Sequence, residues 1–309
     1  EQKPVASGIE LESAYGLSDI QTRDISQSLQ APQSDLTAVS FGDFVPTDVI
    51  TASDGMTGDS FGTAVAIDND TALIGSTTGA YVYVNDNSGW REQYKIIADD
   101  TRVGDCFGCT LSLDGDTAII GAPLEDSGQG AAYVFVRNGE QWTQQQKLQA
   151  GLDIKSYFGR SVAISGNRIV VGAPGAANDG GRVFVYVRTG ETWNIEQELV
   201  ADTHPNDSPY RFGWSVAVKG DTVLVGAPNT LVGGKGLQGA SFIYHRHGST
   251  WSQLQMLVAS DGDTYHHFGS DVALDGSSAL IGALGAEAAY LIDYEEDAWI
   301  ERHKFQVND

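Results

Sequence analysis

The chain has 309 residues, with 18 Lys plus Arg against 41 Asp plus Glu and a formal net charge of −23. Such a surface repels phosphate backbones and anionic headgroups, which argues against nucleic acid and against insertion into a membrane surface. Hydrophobic residues make up 41%, enough for a packed core, while no apolar run approaches the roughly 20 residues of a membrane-spanning helix.

Asp outnumbers Glu by 28 to 13 and Gly reaches 37, a bias toward turns and strands over helices. The first residue is Glu, with no basic and apolar leader behind it, as expected of a processed or trimmed end of an exported chain. Residues 1–60 then form an N-terminal segment. Its string DVITASDGMTGDSFG matches the ends of later units, such as MLVASDGDTYHHFG, so Asp48 to Ala52 reads as a last strand of a preceding unit.

From Phe61 onward one unit returns five times. It reads FGTAVAIDNDTALIGST, FGCTLSLDGDTAIIGAP from Phe107, FGRSVAISGNRIVVGAP from Phe158, FGWSVAVKGDTVLVGAP from Phe212 and FGSDVALDGSSALIGAL from Phe268. The phenylalanines are 46, 51, 54 and 56 residues apart. In each unit an alternating run such as Val162-Ala163-Ile164 meets a two-residue turn, Gly166-Asn167 here, and a second run, Ile169-Val170-Val171. A Gly-rich loop follows, then a third strand, as at Tyr133 to Val136. A second tight turn (Asn138-Gly139, Thr189-Gly190, His247-Gly248) leads to a fourth strand opened by Trp90, Trp142, Trp193, Trp251 or Trp299.

Four antiparallel strands in about 50 residues, repeated, predict an all-β fold, a β-propeller of four-stranded blades. The expected number is six, with five or seven as alternatives. Residues 61–309 supply five blades, and residues 1–60 supply a degenerate one. The glycines of Phe-Gly and Gly-Ala-Pro are expected to let inner strands approach closely, with Phe filling the wedge between blades.

Phe-Gly, a strand hairpin and Gly-Ala-Pro in this order resemble the FG-GAP repeats that form the N-terminal β-propeller of integrin α subunits and of many bacterial surface proteins. The resemblance implies an adhesion or recognition module of the cell surface, a secreted protein or the periplasm. Integrin-type repeats often carry an acidic calcium loop between the first two strands. Here DNDT, DGDT, SGNR, KGDT and DGSS stand there, too short to supply the 6 to 8 oxygens of a calcium site. No cofactor is required by the sequence, and a divalent cation is expected elsewhere if anywhere. Cys106 and Cys109 read as a local disulfide or two packed thiols, since a redox motif would need a βαβ context and a zinc site a second ligand pair.

The tight turns fall on one face of the predicted propeller and the long connections on the other, so a ligand site is expected on the long-loop face. Residues flanking each Phe-Gly vary within a constant frame, which marks Tyr157, Arg160, Tyr210, Arg211, Trp214, His266 and His267 as candidate ligand-binding residues able to stack on a sugar ring or a partner side chain. Acidic loop residues are the candidates for a metal, with Asp99, Asp105, Asp261 and Asp263 foremost. No G-x-S-x-G elbow, P-loop, H-E-x-x-H or dinucleotide fingerprint occurs. The expected activity is therefore binding of a glycan or a protein. The alternative is a carbohydrate-active enzyme using loop carboxylates, for which no spacing selects catalytic residues.

Overall fold

The computed structural model describes residues 49–86, 88–202 and 210–306. These residues form five four-stranded antiparallel sheets, each built from strands consecutive in the chain. Blade 1 contains β1 (Val65–Asp68), β2 (Thr71–Ser76), β3 (Gly79–Asp86) and β4 (Gly89–Ile96). Blade 2 contains β5 (Thr110–Asp114), β6 (Thr117–Ala122), β7 (Ala131–Asn138) and β8 (Gln141–Leu148). Blade 3 runs through β9 (Ser161–Ser165), β10 (Arg168–Ala173), β11 (Arg182–Thr189) and β12 (Thr192–Leu199). Blade 4 comprises β13 (Ser215–Lys219), β14 (Thr222–Ala227), β15 (Ala240–His247) and β16 (Thr250–Leu257). Blade 5 comprises β17 (Phe268–Asp275), β18 (Ser278–Ala283), β19 (Ala288–Glu295) and β20 (Ala298–Gln306). Strands β1, β5, β9, β13 and β17 pack side by side in chain order, which is the inner ring of a β-propeller.

Five blades is thus the number among the described residues, one of the two alternatives to six. Residues 1–48 of the expected degenerate blade lie outside them. One detail of register differs from the sequence reading. The turn joining third and fourth strands is Gly139–Glu140 and its equivalents, one residue later than Asn138-Gly139, because Asn138 pairs with Gln141. A bulge between Val134 and Phe135 absorbs the offset.

Inner strands such as β6 and β10 are nearly continuous apolar runs because both faces are covered by neighbouring blades. Successive residues point to opposite faces, so Ala118 and Ile120 join the core shared with blade 1, while Ile119 joins that shared with blade 3. Four of the five Phe-Gly phenylalanines fill the expected wedge. Phe107, Phe158, Phe212 and Phe268 are at most 3% exposed and meet third-strand rings such as Tyr133, Phe242 and Tyr290 at 5.3–5.4 Å.

Two devices join the blades. At the axis, a Cβ on the glycine near the end of the second strand, Gly75 before Ser76 in blade 1 and the glycine of Gly-Ala at Gly121, Gly172 and Gly226, would fall 2.0–2.2 Å from the carbonyl oxygen of the next blade's Phe-Gly glycine; only glycine fits there. The hydroxyls of Thr110, Ser161 and Ser215 donate across the same junctions to Gly159, Gly213 and Gly269 carbonyls at 2.7–3.0 Å. At the rim, the side-chain amides of Gln146, Gln197 and Gln255 clasp both backbone groups of Trp193, Trp251 and Trp299 one blade on.

Candidate functional site: the inner turns of the loop face

Each Phe-Gly occupies the two central positions of a tight turn. The amide of the residue after Gly donates to the carbonyl of the residue before Phe in all five blades: Thr63 to Ser60, Cys109 to Cys106, Arg160 to Tyr157, Trp214 to Arg211 and Ser270 to His267. The glycine has φ of 84–94°, which suits the third position of a type II turn. The residue before Phe is left-handed every time, with φ between 50° and 63° at Ser60, Cys106, Tyr157, Arg211 and His267, a costly conformation for side-chain-bearing residues. Three of these amides are anchored to the preceding blade's loop: Tyr157 to Gly128, Arg211 to Asp179 and His267 to Leu237. Backbone contacts fix the corners, leaving their side chains free to differ.

The two corner residues face each other across the turn. In blade 2 they are Cys106 and Cys109, joined as a disulfide with Cα atoms 5.3 Å apart; the local-disulfide alternative holds. In blade 3 the pair is Tyr157 and Arg160, and in blade 4 it is Arg211 and Trp214. The guanidinium of Arg211 lies 5.2 Å from the Trp214 ring centroid, and that of Arg160 reaches over from blade 3 to 4.2 Å. Three of the expected ligand-binding residues, Arg160, Arg211 and Trp214, therefore form one half-buried aromatic and cationic cluster where blades 3 and 4 meet, with Tyr157 at the opposite corner of the blade 3 turn. Tyr210 is adjacent and 47% exposed. His266 and His267 lie one blade further: His267 Nδ1 is 3.2 Å from the Pro228 carbonyl, and His266 Nδ1 accepts from the Asp263 amide at 3.1 Å.

Three blade-to-blade loop carboxylates share one set of cation and hydroxyl partners, a pattern absent from the sequence reading. Asp54, Asp100 and Asp261 each accept from a third-strand tyrosine, Tyr81, Tyr133 or Tyr290, at 2.7–2.9 Å. Each also accepts from a fourth-strand lysine, Lys95, Lys147 or Lys304, at 2.6–2.7 Å. These lysine hydrogen bonds, and then the tyrosine ones, hold Asp54 and Asp261 below the ordinary carboxylate range. The signal was in the repeat. Tyr and Lys fourteen residues apart occur in blades 1, 2 and 5 together with the Asp, whereas blade 3 has Phe184, Glu198 and Leu152 at those places. Blade 4 likewise has Phe242 and Met256.

Of the other candidate acids, Asp105 accepts from the Arg102 amide at 2.6 Å, and Asp263 accepts from the Thr264 amide at 2.8 Å with Lys235 3.8 Å away. Asp99 is exposed beside Asp100. Among the described residues, no three His, Cys, Asp or Glu side chains converge as a metal set. Blade 2 adds one carboxylate the other blades lack. Glu125 opens a short helical turn, is 6% exposed, and takes hydrogen bonds from Tyr133 and Lys147. It lines a polar cavity of about 350 Å³ with Asp100, Arg102, Asp105, Asp126, Ser127 and Lys147. Because Asp100 comes from a blade-to-blade loop and Glu125 from the loop between second and third strands, their meeting at Tyr133 places both long loops on one face.

Five sheets sharing an inner ring of Phe-Gly turns and a rim of Gln–Trp clasps define a repeat-built β-propeller. The FG-GAP repeat family matches the chain at residues 45–89, 90–135, 142–186, 193–244 and 251–292. The chain belongs to that family. No curated protein is significantly similar to it.

Proposed function

We propose that this chain is an exported recognition module, secreted, periplasmic or on a cell surface, that binds a glycan or a protein through the long-loop face. The observation that carries this reading is the convergence of Arg160, Arg211 and Trp214 where the turn corners of blades 3 and 4 meet, beside the Tyr157 corner. Variable aromatic and cationic side chains on an invariant backbone are what recognition on a repeat scaffold requires. The disulfide at the equivalent corner of blade 2 supports an oxidising compartment. Among the described residues, no helix is long and apolar enough to cross a membrane.

The experiment is a glycan array and a pull-down from cell-surface extract with wild-type protein and Trp214→Ala and Arg211→Ala variants, with a reducing-sugar assay on every glycan bound. Binding that falls at least about tenfold in Trp214→Ala without a change in melting temperature supports the reading. Binding unaffected by both substitutions overturns the site. Turnover of a bound glycan, lost in Glu125→Gln, replaces recognition with the carbohydrate-active enzyme.

A further inference from the structure

The two ends of the blade array are unfinished in complementary ways. Each blade turns a recurring set of side chains toward its successor. Leu73, Ile119, Val170 and Leu224 on the second strands and Val82, Val134, Val185 and Ile243 on the third are fully buried. Ile96, Leu148, Leu199 and Leu257 on the fourth strands are at most 4% exposed. The same positions in blade 5 are Leu280, Leu291 and Phe305. The first two are only half-buried and Phe305 is 37% exposed. Gly282 departs from its equivalents in the same way. A Cβ there meets nothing closer than 3.4 Å, whereas at the other four junctions the next blade stands at 2.0–2.2 Å.

Blade 1 shows the matching defect on its opposite face. Phe61, Val65, Ile67 and Trp90 are half-buried, while their counterparts Phe158, Val162, Ile164 and Trp193 are buried. The chain enters blade 1 along the path on which the other blades receive a preceding fourth strand. Tyr83 donates to the Thr51 carbonyl as Tyr244 does to that of Val200, and Asp54 is held by Tyr81 and Lys95 as Asp100 is by Tyr133 and Lys147. The first family match opens at residue 45; the other four open at residues 90, 142, 193 and 251, on the Trp-led fourth strand of the preceding blade.

We propose that residues 1–48 close the ring as a sixth blade, covering Phe61, Val65, Ile67 and Trp90 of blade 1 on one side and Leu280, Leu291 and Phe305 of blade 5 on the other. The occupant is set by connectivity. Blades follow one another in chain order, so whatever precedes Val49 stands before blade 1, which in a ring is also after blade 5. The exposed faces at both ends are apolar, as buried blade junctions are.

The test uses the full chain. Cys106 and Cys109 are bonded and no free cysteine is present, so Leu291→Cys introduces a single thiol. Its expected reaction with a maleimide is at least about tenfold slower than that of Ser277→Cys on an exposed hairpin. A thiol-tethered photo-crosslinker at residue 291 is expected to capture a peptide from residues 1–48 of the same, monomeric chain. Equal labelling rates, capture of a second copy, or capture of another partner each overturn the proposal. Hydrogen exchange on the unsubstituted chain is independent of any folding defect in the variants: amides protected within residues 1–48 support closure, and exchange there at the free-peptide rate refutes it.

Discussion

Replacing Gly226 by alanine tests the account of how blades meet at the axis. An added Cβ would lie 2.2 Å from the Gly269 carbonyl oxygen and 2.2 Å from the Ser215 hydroxyl, so blades 4 and 5 must part by about an ångström to restore ordinary contact. Overpacking of this kind costs about 1–3 kcal/mol. The same displacement breaks the buried Ser215 hydroxyl bond to Gly269, worth about 1–3 kcal/mol when its acceptor is left unpaired. Alanine returns about 0.5–1 kcal/mol through the smaller entropy it loses on folding. The net expectation is a loss of about 3 kcal/mol, or roughly 6–12 °C in melting temperature for a folded unit of this size. Gly282→Ala, the same substitution in blade 5, is expected to cost less than about 1 kcal/mol, because its nearest described neighbour stands at 3.4 Å. Thermal melts followed by circular dichroism measure both. If the two variants melt within about 2 °C of each other, close packing of Gly-Ala on the next Phe-Gly turn is not what fixes these glycines.

Three further outcomes are expected. The lysine and tyrosine hydrogen bonds on Asp100 and Asp261 lower both folded pKa values, so their stabilisation is complete above the unfolded value near about 3.9 and is lost as pH falls through the lower folded value. Melts between pH 7 and pH 2 should therefore show a steeper acid loss in the parent than in Asp261→Asn; parallel curves would deny the network any part in acid unfolding. Reducing the Cys106–Cys109 disulfide should cost at most about 2 kcal/mol by loop-closure entropy, since four other blades form the same turn without it, and unfolding of the whole chain by dithiothreitol alone would contradict that. Glu196 is half-buried on the rim with its side chain 8% exposed; desolvation pushes its carboxyl up, but hydrogen bonds from Arg246 and Trp251 outweigh this and hold it low. Glu196→Gln should therefore cost about 1–3 kcal/mol in a urea titration, with no change as the contrary result.

How much could be read in advance differed between backbone and side chains. The strand order, the tight turns and the wedge role of Phe107, Phe158, Phe212 and Phe268 were legible because they repeat at fixed spacing and follow from local rules. The position of the third-to-fourth turn slipped by one residue, since Asn138 pairs with Gln141 and leaves Gly139 and Glu140 as the turn, a register that the Asn-Gly dipeptide alone does not fix. Tyr157, Arg160, Arg211 and Trp214 were found as variable residues in a constant frame, yet the meeting of Arg160 with Arg211 and Trp214 needed the contact between blades 3 and 4. Asp54, Asp100 and Asp261 looked like ligand-ready acids because their lysines lie 41 to 47 residues away in the chain. Glu125 read only as one more acid of the long loop after the second strand: the fold alone brings it under Tyr133.

The turn corners have a consequence for how such a surface changes over time. Their backbone is dictated by glycine and by amides bonded to the neighbouring blade, while the side chains they display are as unlike as a disulfide, a Tyr–Arg pair and an Arg–Trp pair. A substitution at Tyr157, Arg160, Arg211 or Trp214 therefore alters what the face can hold without asking the blades to repack. Folding and the proposed recognition draw on separate atoms of the same short turn, so the displayed side chains can change while packing alone holds the backbone that presents them.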